Sequence, residues 1–226
     1  PLCYKNERNV TQIWIKIIKK MKLEDIGFLC VLTKEVIDEC YLFTCGDDPD
    51  MDEFFCKDAL DYTKFRMGKS YCFRLIDNPK EIIACFTVSN DSIRLFDLGS
   101  SKKNKMWKEI SNREKRLSRY PGVLIGRLAV ASKYANKGIG TDVIRFIKEW
   151  FVDEDNRSGC RLAIVDAKNK PNVLQFYQKK CHFKFLFKSE EDEFRYMHLH
   201  EDKCCDKQAI RLNTRLMYCD LLAEDQ

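Results

Sequence analysis

Apolar and polar positions recur with helical or strand spacing along most of the chain. Residues 24–41 mix apolar and charged positions, which predicts either a helix or a strand followed by a helix. A helix is predicted at about 50–65, with an Asp run near Pro49 supplying the N-cap. The apolar residues that carry this helical spacing are Phe54, Phe55, Ala59, Leu60 and Tyr62.

Three segments in the middle of the chain have strand patterns. Residues 71–76 and 81–88 are rich in β-forming residues and flank the turn sequence DNPK, which predicts a hairpin. Residues 122–132 are almost continuously apolar, as expected for a strand that is covered on both faces. An amphipathic helix is predicted directly after Gly138 and Gly140.

The C-terminal third repeats the arrangement of a buried strand followed by an amphipathic helix. Residues 160–168 predict a second buried strand, and residues 171–183 predict a second amphipathic helix with proline at its start, where proline is tolerated. Two closing strands are predicted at the sequences FKFLF and TRLMYCDLL. The order of helices and strands indicates a mixed α/β (α+β) domain.

Composition narrows the class of protein. The 226 residues are 45% hydrophobic with only 9 Gly and 5 Pro, which favours one compact globular domain. The net charge of +5 permits an anionic partner without requiring one. No apolar stretch approaches the roughly 20 residues that span a bilayer, so no membrane segment is predicted.

The 12 cysteines are scattered and contain no C-x-x-C pair. Zinc sites usually show paired ligands at short spacing, so no metal site is predicted. The alternative is a metal site formed by His198, His200, Cys204 and Cys205, although a chance cluster in a cysteine-rich chain is the favoured interpretation. Single cysteines in apolar segments, with no secretory signal visible, favour a reducing, cytoplasmic location.

The turn around Gly138 and Gly140 follows a strand and opens a helix. Free amides and the positive dipole end of a helix, with glycines that permit close approach, are suited to a phosphate group. The P-loop pattern is absent, and Val143 occupies the third glycine position of the dinucleotide pattern. On these residues alone, an ordinary helix-capping turn is the stronger interpretation.

Three longer blocks change that interpretation. Residues 127–141, RLAVASKYANKGIGT, resemble the acetyl-CoA-binding motif of the GNAT acetyltransferase superfamily, and residues 162–185 resemble its next motif, with the Phe-Tyr pair in register. Residues 43–55, FTCGDDPDMDEFF, are similar to a segment of the bacterial branch that includes toxins acetylating aminoacyl-tRNA. The resemblance covers most of residues 43–220.

The resemblance implies a fold and a domain layout. Residues 23–226 would form one GNAT-like domain with a mixed, mostly antiparallel central sheet flanked by helices. A V-shaped split is expected between the central strands. Residues 1–22 would be an N-terminal extension of uncertain order.

The resemblance also implies site residues. Main-chain amides at 136–141 would bind the diphosphate of acetyl-CoA, and a main-chain N–H at Leu128 to Val130 would stabilise the thioester oxyanion. Tyr177 would be the general acid that protonates the leaving thiolate, with a core tyrosine as the alternative role. The implied cofactor-binding residues are Leu128, Ala129, Val130, Asn136, Lys137, Gly138, Ile139, Gly140, Thr141, Asn169, Asn172 and Tyr177.

The sequence departs from the motif at several positions. Ala135 replaces the usual Gln or Arg, so its side chain contributes no contact. His182, after Cys181, stands where a small residue or glycine is more usual. The turn is one residue longer than usual, so Asn169 and Asn172 compete for the family's cofactor-contacting asparagine.

The implied activity is acetyl-CoA-dependent N-acetyl transfer to a primary amine by direct attack in a ternary complex. The acceptor stays open between a small molecule, a protein amine and aminoacyl-tRNA, whose phosphates the basic residues 102–119 would contact. The toxin version would come with a partner antitoxin, and a homodimer is also left open. The alternative class is a non-catalytic acyl-CoA-binding or protein-interaction domain that retains the fold.

Overall fold

The computed structural model describes residues 22–46, 48–110, 117–198 and 211–223. The N-terminal extension expected at 1–22 lies outside this part of the chain except for Lys22. The domain boundary at residue 23 therefore stays a prediction. No helix within the described ranges combines the length and apolar character needed to cross a membrane.

The elements follow the order expected from the sequence, with short additional elements that include α1 and α8. The strands are β1 (Gly27–Val31), β2 (Lys69–Leu75), β3 (Ile82–Arg94), β4 (Arg119–Val130), β5 (Leu162–Lys168), β6 (Lys184–Phe185) and β7 (Thr214–Asp220). The helices are α1 (Leu23–Ile26), α2 (Lys34–Glu39), α3 (Pro49–Glu53), α4 (Ala59–Lys64), α5 (Ser100–Ile110), α6 (Ile139–Val152), α7 (Pro171–Gln175) and α8 (Glu190–Met197). One-turn π-helices, Phe54–Asp58 and Phe176–Lys180, directly follow α3 and α7.

The strands form one sheet in the order β1-β2-β3-β4-β5-β7-β6. β1 with β2, β5 with β7 and β6 with β7 are antiparallel, whereas β4 with β5 is parallel. This confirms the mixed, mostly antiparallel sheet. The parallel pairing runs from Gly122↔Leu162 to Leu124↔Ile164, whereas β5 pairs β7 along its entire length. The V-shaped split beyond the short pairing stays a prediction.

The chain divides into two compact units, and β3 and β4 pass through both of them. Unit 1 contains residues up to 87 together with 127–144. Its interior is built from the consecutive buried side chains of β2 and β3, such as Phe73 and Phe86. The rings of Phe54 and Phe55, in the π-helix that follows α3, meet edge-to-face at 5.1 Å and add to this interior.

Unit 2 contains residues 88–126 and 145–226. Its core joins apolar side chains of α5 to those of β3, β5 and β7: Ile93, Leu95, Met106, Ile110, Leu162, Ile164 and Tyr218. A buried ion pair of 2.7 Å between Glu193 and Arg215 connects α8 to β7. Arg215 also donates to the Phe187 carbonyl at 2.9 Å, so the pair is hydrogen-bonded on both sides.

The structure shows which of the secondary-structure elements predicted from the sequence are present. Residues 24–41 contain β1 followed by α2, which confirms the alternative of a strand followed by a helix, and the short helix α1 before the strand was not predicted. The helix predicted at 50–65 is confirmed, although a π-turn interrupts it, and Asp48 is its N-cap residue without a side-chain capping bond. α8 had no counterpart among the predicted elements, because its sequence is dominated by charged residues and lacks a strong apolar stripe.

Candidate active site

The C-terminal half of β4 alternates between two environments. Ala129 is buried, while Leu128 and Val130, on the opposite face, are half-buried. Arg127 shares the Ala129 face, where its guanidinium lies 4.3 Å from the Phe54 ring centroid and forms a 2.7 Å ion pair with Asp50. The sequence motif did not reveal this anchoring role of Arg127.

The chain leaves β4 on a path fixed by hydrogen bonds within unit 1. The Ala131 amide donates to the Ile83 carbonyl of β3 at 2.9 Å. Both the amide and the hydroxyl of Ser132 donate to the Thr44 carbonyl, at 3.0 and 3.1 Å. A 3₁₀ turn, Ser132–Tyr134, then leads into the glycine turn.

Thr44 and Gly46 lie against Ser132, and Asp52 holds this segment in place. Asp52 accepts hydrogen bonds from the Cys45 amide at 2.7 Å and the Thr44 hydroxyl at 2.6 Å. Burial alone would raise the pKa of Asp52, but these two hydrogen bonds outweigh it and lower the pKa. Gly46 has φ +90°, and a Cβ there would lie 2.9 Å from the Ser132 hydroxyl. The left-handed conformation and the closeness to Ser132 explain why residue 46 is a glycine. The hydrogen bonds from Thr44 and Cys45 explain why residue 52 is acidic.

The glycine turn contains two residues in the left-handed region, Asn136 at φ +59° and Gly138 at φ +90°. The Gly138 carbonyl accepts from the amides of Thr141 and Asp142 at 2.9 and 3.1 Å, which starts α6. Within the described residues, the amides of 136–140 make no hydrogen bond, and a Cβ on Gly138 would meet no atom within 4 Å. The turn therefore has amide donors without partners, with open space beside Gly138, at the start of a 14-residue helix.

Two lysines lie beside these amides. The ammonium of Lys137 donates to the Lys133 carbonyl at 2.8 Å and lies 5.4 Å from the Tyr134 ring centroid. Lys133 and the Tyr134 hydroxyl both contact Glu81, at 2.7 and 2.8 Å. Burial would raise the pKa of Glu81, but these two hydrogen bonds lower it. The side chains thus hold the turn in place and leave positive charge next to it.

The first turn of α6 is also hydrogen-bonded to α1, near the first described residue. The Asp142 carboxylate accepts from the Leu23 amide, which opens α1, at 3.2 Å. Leu23 itself is buried. The acidic residue near the helix start thereby caps a second helix.

The two competing asparagines differ clearly in the structure. The Asn169 side chain donates to the Leu212 carbonyl at 2.8 Å and to Glu190 at 3.1 Å, and its amide donates to the Asn213 carbonyl at 2.8 Å. Asn172 lies exposed on α7, and its side chain makes no hydrogen bond to the described residues. Asn169 therefore has a structural role, and Asn172 has an available amide group.

Tyr177 lies in the π-turn that follows α7. It is 9% exposed, with its ring edge-to-face against Phe176 at 5.0 Å and Phe183 at 5.5 Å. Its hydroxyl makes no hydrogen bond within the described chain. Burial, and secondarily the neighbouring Cys181 thiol, raises the pKa of Tyr177, so the phenol, which is protonated at neutral pH in any case, stays protonated to still higher pH.

His182 shows why a glycine is common at its position. It adopts φ +60°, a conformation that glycine enters freely and that other residues enter at a cost. On either side, Lys148 donates to the Cys181 carbonyl at 2.8 Å and the Phe183 amide donates to the Tyr177 carbonyl at 2.9 Å. These contacts impose the left-handed turn regardless of the side chain.

The predicted residues thus fall into two groups. Unit 1 brings together Leu128, Ala129, Val130 and the turn 136–141, and unit 2 brings together Asn169, Asn172 and Tyr177. No group of three or more potential metal ligands occurs within the described ranges. Of the four-residue cluster considered from the sequence, only His198 belongs to those ranges.

Comparison with known proteins gives a family assignment for this site. The profile of the acetyltransferase (GNAT) family matches residues 47–183, which include both strand–turn–helix blocks. A search among curated proteins finds no match.

Solved structures give a consistent picture of the fold. A structure described as a bacterial toxin superposes with a TM-score of 0.60 at 16% identity, covering 87% of this chain and 91% of the other. AtaT complexed with acetyl-methionyl-tRNAfMet gives 0.57 at 17% identity, covering 74% and 91%. A tyrosine-to-phenylalanine mutant of the AtaT toxin, bound to the C-terminus of the antitoxin AtaR and acetyl-CoA, gives 0.52 at 14% identity, covering 87% and 94%. At these identities the likeness concerns the fold.

Proposed function

Because the chain belongs to the acetyltransferase (GNAT) family, we propose that it transfers acetyl from acetyl-CoA to a primary amine by direct attack in a ternary complex. The observation that carries this proposal is the turn at 136–140. Five consecutive amides without partners among the described residues, two left-handed residues and a helix start form a cradle suited to a diphosphate.

The charge around the turn supports acetyl-CoA in spite of Ala135. The missing Gln or Arg side chain would be offset by the charge of Lys137, which belongs to the turn and whose ammonium lies 5.4 Å from the Tyr134 ring centroid. The Thr141 amide already donates to Gly138, so Thr141 would bind through its hydroxyl. The diphosphate contacts therefore depend chiefly on main-chain groups, with lysine charge added.

For the chemical step, we assign one polar group to each developing charge. A main-chain N–H within Leu128 to Val130 would stabilise the oxyanion of the thioester. Tyr177, whose phenol is protonated at neutral pH, would donate a hydrogen bond to the leaving thiolate. Because a thiol has a pKa near ~8.5, below that of the phenol, Tyr177 would act first as a hydrogen-bond donor and only then as a proton source.

Asn172 is the side chain that we assign to the cofactor on the β5–α7 side. Its amide group is exposed and has no partner among the described residues, whereas Asn169 is used to connect β5 with the segment before β7. We therefore prefer Asn172 to Asn169 as the cofactor-contacting asparagine.

We further propose aminoacyl-tRNA as the acceptor class, in the bacterial cytoplasm. AtaT, a structural neighbour, has been captured with an acetylated aminoacyl-tRNA. The exposed side chains of Lys105, Lys108, Lys179, Lys180 and Lys184 provide positive charge in unit 2 for a phosphate backbone. The α-amine of an aminoacyl ester titrates near ~8, so it can attack in its neutral form without a dedicated base.

The proposal is tested by calorimetry with acetyl-CoA and by transfer of radiolabelled acetyl to a panel of amines. The panel contains methionyl-tRNA, the same tRNA uncharged, methionine methyl ester and a short peptide. We expect micromolar binding of acetyl-CoA and labelling of methionyl-tRNA alone. Labelling of the ester or the peptide in preference to the tRNA would overturn the acceptor, and absence of acetyl-CoA binding would overturn the activity.

A further inference from the structure

Cys30 and Cys72 face each other across the pairing of β1 with β2. They are direct partners in the register, and their Sγ atoms lie 3.4 Å apart. Two neighbouring pairs, Leu32 with Ser70 and Ile26 with Ile76, are joined by main-chain hydrogen bonds of 2.9 and 2.8 Å. Because pair types alternate along an antiparallel ladder, Cys30 and Cys72 form a hydrogen-bonded pair with Cα atoms ~5.5 Å apart. That separation lies within the range that a disulfide spans.

The two thiols have different surroundings. Cys72 is fully buried, whereas Cys30 is partly exposed on β1, which lies at the edge of the sheet. The Cys72 thiol lowers the pKa of Cys30 to about 7 by hydrogen bonding to it, and the nearby Arg74 guanidinium contributes in the same direction. Burial raises the pKa of other described cysteines, including Cys160 and Cys181. Cys30 is thus the reactive thiol of the pair, and Cys72 is placed to resolve it.

We propose that Cys30 and Cys72 form a reversible disulfide when the protein meets a hydroperoxide. The Cys30 thiolate attacks the peroxide O–O bond, giving a sulfenic acid and releasing hydroxide. Cys72 sulfur then attacks the Cys30 sulfur, the S–O bond breaks, and the sulfenic oxygen leaves as water with the Cys72 proton. In total, two thiols and one hydrogen peroxide give one disulfide and two waters.

The disulfide would lock the edge strand of unit 1. It would join residues 42 positions apart and restrict the unfolded chain accordingly. β1 follows α1, whose first amide is bonded to Asp142 in the first turn of α6. Oxidation would therefore stabilise the part of unit 1 that is connected to the glycine turn.

Peptide mapping tests the proposal directly. Trypsin is expected to place Cys30 in peptide 23–34 and Cys72 in peptide 70–74, each with a single cysteine. After treatment of the full chain with one equivalent of hydrogen peroxide, we expect these two peptides cross-linked and two hydrogens lighter than their sum. The melting temperature should rise by roughly 5–10 °C and return after dithiothreitol.

Two variants separate this pair from the other thiols. Cys30→Ser, at a partly exposed position, should abolish both the cross-link and the melting shift. Cys160→Ser, the matched control in unit 2, should leave both unchanged. A cross-link from Cys30 to peptide 35–57, which holds Cys40, or oxidation of Cys30 to sulfinic acid without a cross-link, would overturn the proposal.

Discussion

The two strand–turn–helix junctions, β4 into α6 and β5 into α7, prepare different kinds of groups. The first presents main-chain amides at 136–140 and tolerates Ala135 where the family usually has a polar side chain. The second presents side chains, an exposed Asn172 and a buried Tyr177. A main-chain site depends on backbone conformation, so its sequence signature is glycine. A side-chain site depends on the identity of individual residues.

The difference also appears in how each junction is held. The β4–α6 turn is fixed by hydrogen bonds to the Thr44 carbonyl and to β3 and by the contacts of Lys133 and Tyr134 with Glu81, and the groups that it presents are main-chain amides. The β5–α7 turn is fixed by the Asn169 side chain, which binds Leu212 and Glu190. Substitutions should therefore affect the first junction through backbone conformation and the second through lost functional groups.

The largest expected effect is a loss of turnover on substitution of Tyr177, in the β5–α7 junction. Tyr177→Phe removes the proposed donor to the leaving thiolate, so kcat should fall roughly 100-fold or more while the Kd for acetyl-CoA stays within twofold. Steady-state kinetics and calorimetry measure the two quantities. Tyr218→Phe is the matched control, because Tyr218 is equally buried in unit 2 and its pKa is raised to about 12. Equal turnover in both variants would refute the role of Tyr177.

The next largest expected effect is a loss of acetyl-CoA affinity on substitution of Gly138, in the β4–α6 junction. Gly138→Ala places a side chain at φ +90°, where the strain of ~1–2 kcal/mol should shift the turn and weaken acetyl-CoA binding roughly tenfold. Gly99→Ala is the control, because a Cβ there also meets no atom within 4 Å but the backbone is not left-handed. Calorimetry measures the Kd for acetyl-CoA of both variants. An unchanged Kd in Gly138→Ala would show that the turn does not bind acetyl-CoA.

A third test distinguishes the two asparagines. Asn169→Ala should lower the free energy of unfolding by ~1–2 kcal/mol, because Glu190 and the Leu212 carbonyl lose their donor. Asn172→Ala should leave stability unchanged and weaken acetyl-CoA binding several-fold. Urea unfolding and calorimetry on both variants give the comparison. The reverse pattern would assign the cofactor contact to Asn169.

The smallest expected effect is a gain in stability. His182→Gly relieves a left-handed residue and should raise the free energy of unfolding by up to ~1 kcal/mol. Arg66→Gly, at φ +60° in unit 1, is the companion variant and should behave alike. Urea unfolding provides the measurement. A loss of stability in His182→Gly alone would show that the histidine ring makes a favourable contact.

Much of the fold was predictable from local patterns. The helix at 50–65, the hairpin and the strands β4 and β5 are confirmed near their expected positions, because apolar periodicity and turn residues act over a few residues. α8 and the extension of β3 to Arg94 were missed, since charged sequences carry little periodic signal and are stabilised by distant partners. Arg215 is one such partner, 22 residues from Glu193.

The candidate site also has features that the sequence predicts and features that only the structure shows. By itself, the sequence determined most of the order of elements, the glycine turn and the position of the Phe-Tyr pair, because these are encoded in contiguous residues. Only the tertiary structure decided that Asn169 is occupied and Asn172 is available, that His182 adopts a left-handed conformation, and that Cys30 faces Cys72. These facts depend on strand register and on hydrogen bonds between residues far apart in the chain, which local spacing does not specify.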